Sequence, residues 1–116
     1  MIIQRKDMRS EVRSQMKGGT GDVTVLNLVE CDDLPNIRYV GEMTLPPDTS
    51  IGMHTHDKET EYYLITEGTG YVDEGEGNEE VRVIKGDVIV TGNGATHSIR
   101  NGGSTDLLVT AFIVTE

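Results

Sequence analysis

Three histidines and one or two carboxylates are the residues best suited to chemistry. His54 and His56 form a His-x-His pair. In an extended strand, residues i and i+2 point to one face, so both imidazoles can converge on a single point. Glu61 follows five residues after His56 and opens the extended run Glu61-Tyr62-Tyr63-Leu64-Ile65. An antiparallel neighbour could return that carboxylate beside the two rings. Glu59 is a rival, on the same face as Glu61 if the strand reaches that far. His97, the third and last histidine, also opens a strand-like run. A His-x-His pair alone is common near surface turns and says little. Three histidines in strand contexts with a carboxylate nearby point to a shared metal ion.

The rest of the chain must position these groups, and after Thr20 it reads as strand and turn. Strand-like runs are Val23–Leu28, Ile37–Leu45, Glu61–Thr66, Thr69–Val72, Val81–Ile84, Val88–Thr91, His97–Arg100 and Leu107–Val114. Pro46-Pro47-Asp48, the Gly75–Asn78 cluster, Asn93-Gly94 and Asn101-Gly102-Gly103 separate them as turns. About eight or nine short strands at regular spacing indicate an all-β sandwich or barrel. Before Thr20, Asp7 as a cap, Met8, Val12 and Met16 at i, i+4 and i+8, and Gly18-Gly19 as a stop predict a helix over 7–17. At 116 residues the chain has room for one domain and one closed core.

Charge narrows the partners. Twenty Asp and Glu against ten Lys and Arg leave a net charge of −10, which repels nucleic acid and anionic membrane surfaces. No helix-turn-helix segment is visible, so a DNA-binding regulator is not expected. The longest apolar run, Leu107–Val114, is far shorter than the roughly 18 residues of a membrane span. One cysteine, Cys31, excludes an internal disulfide, and its acidic neighbours Glu30, Asp32 and Asp33 raise a thiol pKa rather than lower it. With no signal-peptide apolar region at Met1–Lys6, a cytoplasmic protein is expected. The acidic stretch Asp73–Glu80 reads as a solvated hairpin tip.

The spacing around the histidines is more specific than the pair. His54-Thr55-His56, four residues, Glu61, six residues and Gly68 resembles the first motif of the cupin superfamily, over about 48–68. Gly86, five residues, Gly92-Asn93-Gly94-Ala95-Thr96-His97, three residues and Asn101 resembles the second, over 86–101. Asp48 stands where the first motif has Gly, and Gly92 where the second has Pro. Asp tolerates turn conformations, and Gly92 carries at most a small stability cost. The resemblance implies a single cupin domain over 1–116: a double-stranded β-helix (jelly-roll) barrel with a short N-terminal helical segment. It also implies that His54, His56, Glu61 and His97 ligate one divalent metal ion, with Mn, Fe, Ni, Co and Zn all open. The family spacing favours Glu61 and leaves Glu59 as a surface residue.

Alternation carries this inward from the ligands. If Glu61 points in, so do Tyr63 and Ile65; if His97 does, so does Ile99; Tyr39 and Met43 join them. Ile65 and Ile99 read as core. Tyr63 has a hydroxyl to satisfy and is the candidate catalytic residue, with packing as its other role. Arg100 falls opposite His97 in alternation and reads as surface. Leu107–Val114 is apolar on both faces, so both faces should be covered, one by the barrel and one by a second copy in a homodimer. Relatives of this size are described as oxalate-decarboxylase-like monocupins. The resemblance therefore implies Lewis-acid chemistry on a small oxygen-rich organic acid or sugar-derived substrate, of lyase or decarboxylase, isomerase or dioxygenase type. A non-catalytic small-molecule-binding or sensor cupin is the alternative.

Overall fold

A computed structural model describes residues 1–116. Ten strands run β1 (Arg9–Ser14), β2 (Asp22–Val29), β3 (Ile37–Leu45), β4 (Ser50–His56), β5 (Glu59–Glu67), β6 (Thr69–Asp73), β7 (Val81–Ile84), β8 (Val88–Gly92), β9 (Ala95–Asn101) and β10 (Leu107–Thr115). They form two antiparallel sheets, ordered β1-β2-β3-β10-β5-β8 and β4-β9-β6-β7. Strict alternation makes the core: Leu107, Val109 and Ala111 of β10 are fully buried, as are Val23 and Val25 of β2. Ile51, Ile99 and Val72 close the cluster from the smaller sheet. The strand spacing predicts an all-β sandwich or barrel, and the jelly-roll form is the one that the family resemblance implies.

The expected helix over 7–17 does not form. Arg9–Ser14 is strand β1, paired antiparallel to β2, with short 3-10 turns at Arg5–Asp7 and Met16–Gly18 on either side. A helix of about three turns is marginal alone, whereas the free edge of β2 offers a row of backbone donors and acceptors. The consequence is a change of face. Arg9, Glu11 and Arg13 lie opposite the inward residues Asn27, Val25 and Val23. Val12 turns outward and is 63% exposed.

Two local features aim the histidines. Ile51 pairs with Ile99 and His54 with His97, so two residues of β4, Gly52 and Met53, oppose one of β9, Ser98. Such a bulge lets Ile51 and His54 both turn inward, although simple alternation would place them on opposite faces. Asn93 (φ 56°) and Gly94 (φ 81°) then carry the chain from β8 in one sheet to β9 in the other. The Gly94 N–H donates to the carbonyl oxygen of His56 at 2.9 Å, tying that turn to the end of β4. Gly92 is the last residue of β8 rather than part of the turn. Asp48 occupies the left-handed region at φ 63°, a conformation that Asp tolerates.

Candidate metal centre

The two sheets bring the sequence-predicted ligands together from three strands. His54 and His56 come from β4, His97 from β9 and Glu61 from the facing β5. One ligand atom from each lies within 4.8 Å of all the others. His54 Nε2 and His97 Nε2 are 3.0 Å apart, and His56 Nε2 and His97 Nε2 are 3.2 Å apart. Glu61 Oε1 is 2.9 Å from His56 Nε2 and 3.0 Å from His97 Nε2. Bonds of about 2.0–2.2 Å at right angles to one ion would separate neighbouring donors by about 3.0 Å. The four groups could therefore hold one divalent cation.

The opposite ring nitrogens make that reading chemical rather than merely geometric. His54 Nδ1 faces the Gly52 carbonyl oxygen at 2.7 Å, which can only accept. His56 Nδ1 faces Glu59 Oε2 at 2.6 Å, and His97 Nδ1 faces Thr91 Oγ1 at 2.8 Å. The first two partners place the ring proton on Nδ1, leaving the Nε2 lone pairs to converge. Glu61 Oε1 is buried with no hydrogen-bond partner. Lone pairs pointed together at this range repel unless a cation lies among them.

Ionisation agrees with that assignment. Burial first, then the neighbouring histidine charges, hold His97 below its usual 6.5 despite the Glu61 carboxylate. Burial alone would raise the Glu61 carboxyl, but the His54, His97 and His56 imidazoles crowded around it outweigh that effect and hold it at about 2. Neutral imidazoles and an ionised carboxylate are the forms that ligate metal.

Glu59 is not a surface residue. Its carboxylate is hydrogen-bonded by His56 and is met by Arg38 through two bonds of 2.9 Å. The Arg38 guanidinium holds the Glu59 carboxyl below the usual carboxylate range. An Arg38–Glu59–His56 chain thus fixes the ring of one candidate ligand. Thr91, Gly52 and Glu59 are the partners that sequence reasoning missed. The available signal for Thr91 was a polar residue in phase with Ile89 on a buried strand face.

His54, His56 and Glu61 open onto a cavity of about 620 Å³, while His97 is buried and does not line it. Tyr63 is buried, its ring stacked on His97 at 4.8 Å. Burial, then the Glu61 charge, push its hydroxyl well above 10, so it remains a protonated donor. Tyr39 also lines the cavity, its hydroxyl pushed to about 12, by burial above all. Ile65 and Ile99 are core, as alternation predicts. Arg100 points outward to Glu80 at 2.8 Å and lies over the Tyr71 ring. Cys31 borders the cavity mouth, its thiol raised by burial and then by Glu30 and Asp32.

Two antiparallel sheets closed around three histidines and a glutamate define a small jelly-roll barrel with a candidate metal centre. The chain belongs to the cupin family: the family model described as a cupin domain matches residues 41–114. An oxalate-binding protein from Thermotoga maritima is 37% identical over 116 residues, covering 98% of this chain and 93% of that protein. The crystal structure of a predicted oxalate decarboxylase from Thermotoga maritima superposes with a TM-score of 0.92 at 34% identity, covering both chains completely. A polyketide cyclase from Streptomyces resistomycificus shares the fold at 17% identity, with a TM-score of 0.79 over 99% of this chain and 78% of that one. No helix is long and apolar enough to cross a membrane.

Proposed function

We propose that residues 1–116 form one cupin domain that binds a divalent metal ion through His54, His56, Glu61 and His97 and holds a small organic acid beside it. The observation that carries this reading is the convergence of Nε2 atoms and Glu61 Oε1 at about 3 Å, with the Nδ1 protons of His54 and His56 directed away. When bound, the metal supplies a Lewis acid that can accept an oxygen donor and polarise a carboxylate or carbonyl. The cavity has the volume for a small ligand. Its wall carries basic side chains that can meet an acid, Arg13 and Lys17 among them. The similarity to an oxalate-binding protein supports oxalate as the first acid to try.

Chemistry at the metal, of decarboxylase or lyase, isomerase or dioxygenase type, is the primary reading, with Tyr63 as the protonated donor beside Glu61. A binding or sensing role without turnover is the second. It is favoured by one observation: Glu59, the carboxylate nearest the centre after Glu61, is committed to Arg38 and His56 and is not free to act as a base. Metal-loaded protein incubated with oxalate, with and without oxygen, separates the two. Formate and carbon dioxide identify a decarboxylase, whereas saturable binding with oxalate recovered intact identifies a binding protein. No binding of oxalate or any related acid contradicts both.

A homodimer is part of this proposal. On the outer face of the larger sheet, Leu64, Val88 and Val90 are 37%, 56% and 55% exposed beside the stacked pair Tyr62–Phe112. An apolar sheet face of this kind favours a covering partner, and a second copy supplies the same apolar face in return.

A further inference from the structure

Edge strand β1 sets its charges on the core-side face of the larger sheet, where Arg9 and Arg13 remain exposed. Arg9, Glu11 and Arg13 share the face of Val23 and Val25, which are fully buried. Charges on an inward face are tolerated only beside water, a partner charge or a ligand. Arg9 and Arg13 reach the cavity that opens onto His54, His56 and Glu61, as do Lys17 and Arg38. Four of the chain's ten basic residues therefore line this cavity, together with four carboxylates, Glu30, Asp32, Glu59 and Glu61.

These four cations are not equivalent. Arg38 is held by Glu59 through two bonds, and Arg9 is held by Glu30 and Glu11. Lys17 has no ion pair and remains a diffuse, exposed charge. Arg13 is intermediate. Its Nε and Nη2 both donate to one oxygen, Glu11 Oε1, at 3.1 and 2.7 Å, and its Nη1 makes no bond. The Glu11 carboxylate is already shared with Arg9. Arg13 thus presents unspent donors, with a side chain 42% exposed. Tyr39 lines the same cavity as Arg13 and Glu61, and its ring lies against Gly41, where any Cβ would strike it.

We propose that Arg13 selects the ligand, pairing its guanidinium with a second carboxylate of an acid whose first carboxylate is held at the metal centre. The ligand class is a small dicarboxylate. The proposal rests on the metal-and-acid reading above and adds the residue that discriminates among acids. A guanidinium fork meets a carboxylate through two parallel bonds, which a point charge such as Lys17 does not reproduce.

The experiment is calorimetric titration of manganese-loaded protein with malonate, a dianion, and acetate, a monoanion. Wild type should bind malonate more tightly than acetate. Arg13→Gln should weaken malonate about 10- to 100-fold, the range for a lost charge-assisted hydrogen bond. It should leave acetate affinity, manganese content and melting temperature near wild type. Arg13→Lys should recover only part of the loss, and Lys17→Gln should weaken malonate less than Arg13→Gln. Unchanged malonate affinity in Arg13→Gln overturns the proposal and leaves the metal-and-acid reading intact. Equal losses in Arg13→Gln and Lys17→Gln also overturn it, because they show a general field rather than a pairing. If loaded wild type binds neither acid, both the proposal and the reading beneath it are wrong.

Discussion

The carbonyl oxygen of Gly52 lies 2.7 Å from His54 Nδ1, and the same glycine is packed against the N-terminal arm. A Cβ at Gly52 would strike the Lys17 carbonyl oxygen, and one at Gly19 would strike that of Ser50. Thr20 seals the contact by exchanging backbone and hydroxyl bonds with Ser50. The β4 bulge that aims His54 is therefore held from outside by residues 17–20. Gly52→Ala should destabilise the fold by about 1–3 kcal/mol, as overpacking does, and should also weaken metal binding. Thermal melting and metal titration of the same sample check this. Wild-type metal affinity in a destabilised Gly52→Ala protein would show that the carbonyl does not set His54.

His56 depends on a side chain rather than on backbone. Removing the partner of a ligating histidine typically reduces metal affinity about 10- to 100-fold. Glu59→Ala should do so while leaving a folded barrel, because Glu59 holds the ring of His56 and is itself held by Arg38. Arg38→Ala should produce a smaller loss through the same chain. Competitive metal titration gives both numbers.

Acidification should release metal and lower stability together. His97 has a folded pKa below its unfolded 6.5. Its neutral form contributes stability that is fully present above pH 6.5 and is lost as pH falls through the depressed folded value. Glu61 contributes stability present above pH 4.5 and lost only as pH approaches about 2. Metal binding to neutral imidazoles steepens the first of these losses. Between pH 7 and 5 the melting temperature of metal-loaded protein should fall more than that of metal-free protein, with metal appearing in the filtrate. Parallel curves for the two forms would contradict ligation by the histidines.

Association should depend on the outer sheet face. Val90 pairs across from Tyr62, which stacks on Phe112 at 4.9 Å. Val90→Asp places a charge in this patch and should convert a dimer at micromolar concentration into a monomer without unfolding it. Light scattering on wild type and variant decides, and a monomeric wild type would contradict the dimer.

The residues that act through strand periodicity were the legible ones. His54 and His56 share a face because i and i+2 do, and the paired motifs place Glu61 and His97 on strands that meet them. Buried Tyr63, Ile65 and Ile99 follow from the same rule. What stayed hidden is set by tertiary contact. The Met8-Val12-Met16 spacing suits a helix, but an open edge on β2 converts this stretch to strand and reverses which residues face in. The bulge at Gly52 has no periodic signature, since it is an exception to the period. Glu59 looked like surface because its partners, Arg38 and His56, are 21 and 3 residues away and meet only when β3, β4 and β5 assemble.

Metal content is the most direct test of the central claim. Protein purified and equilibrated with manganese, cobalt or zinc, then freed of excess ion, should carry about one equivalent per chain by elemental analysis. His97→Ala keeps the barrel's other donors but removes the nitrogen that lies 3.0 Å from both His54 Nε2 and Glu61 Oε1, so it should carry essentially none. Equal metal content in wild type and a folded His97→Ala protein would contradict the account.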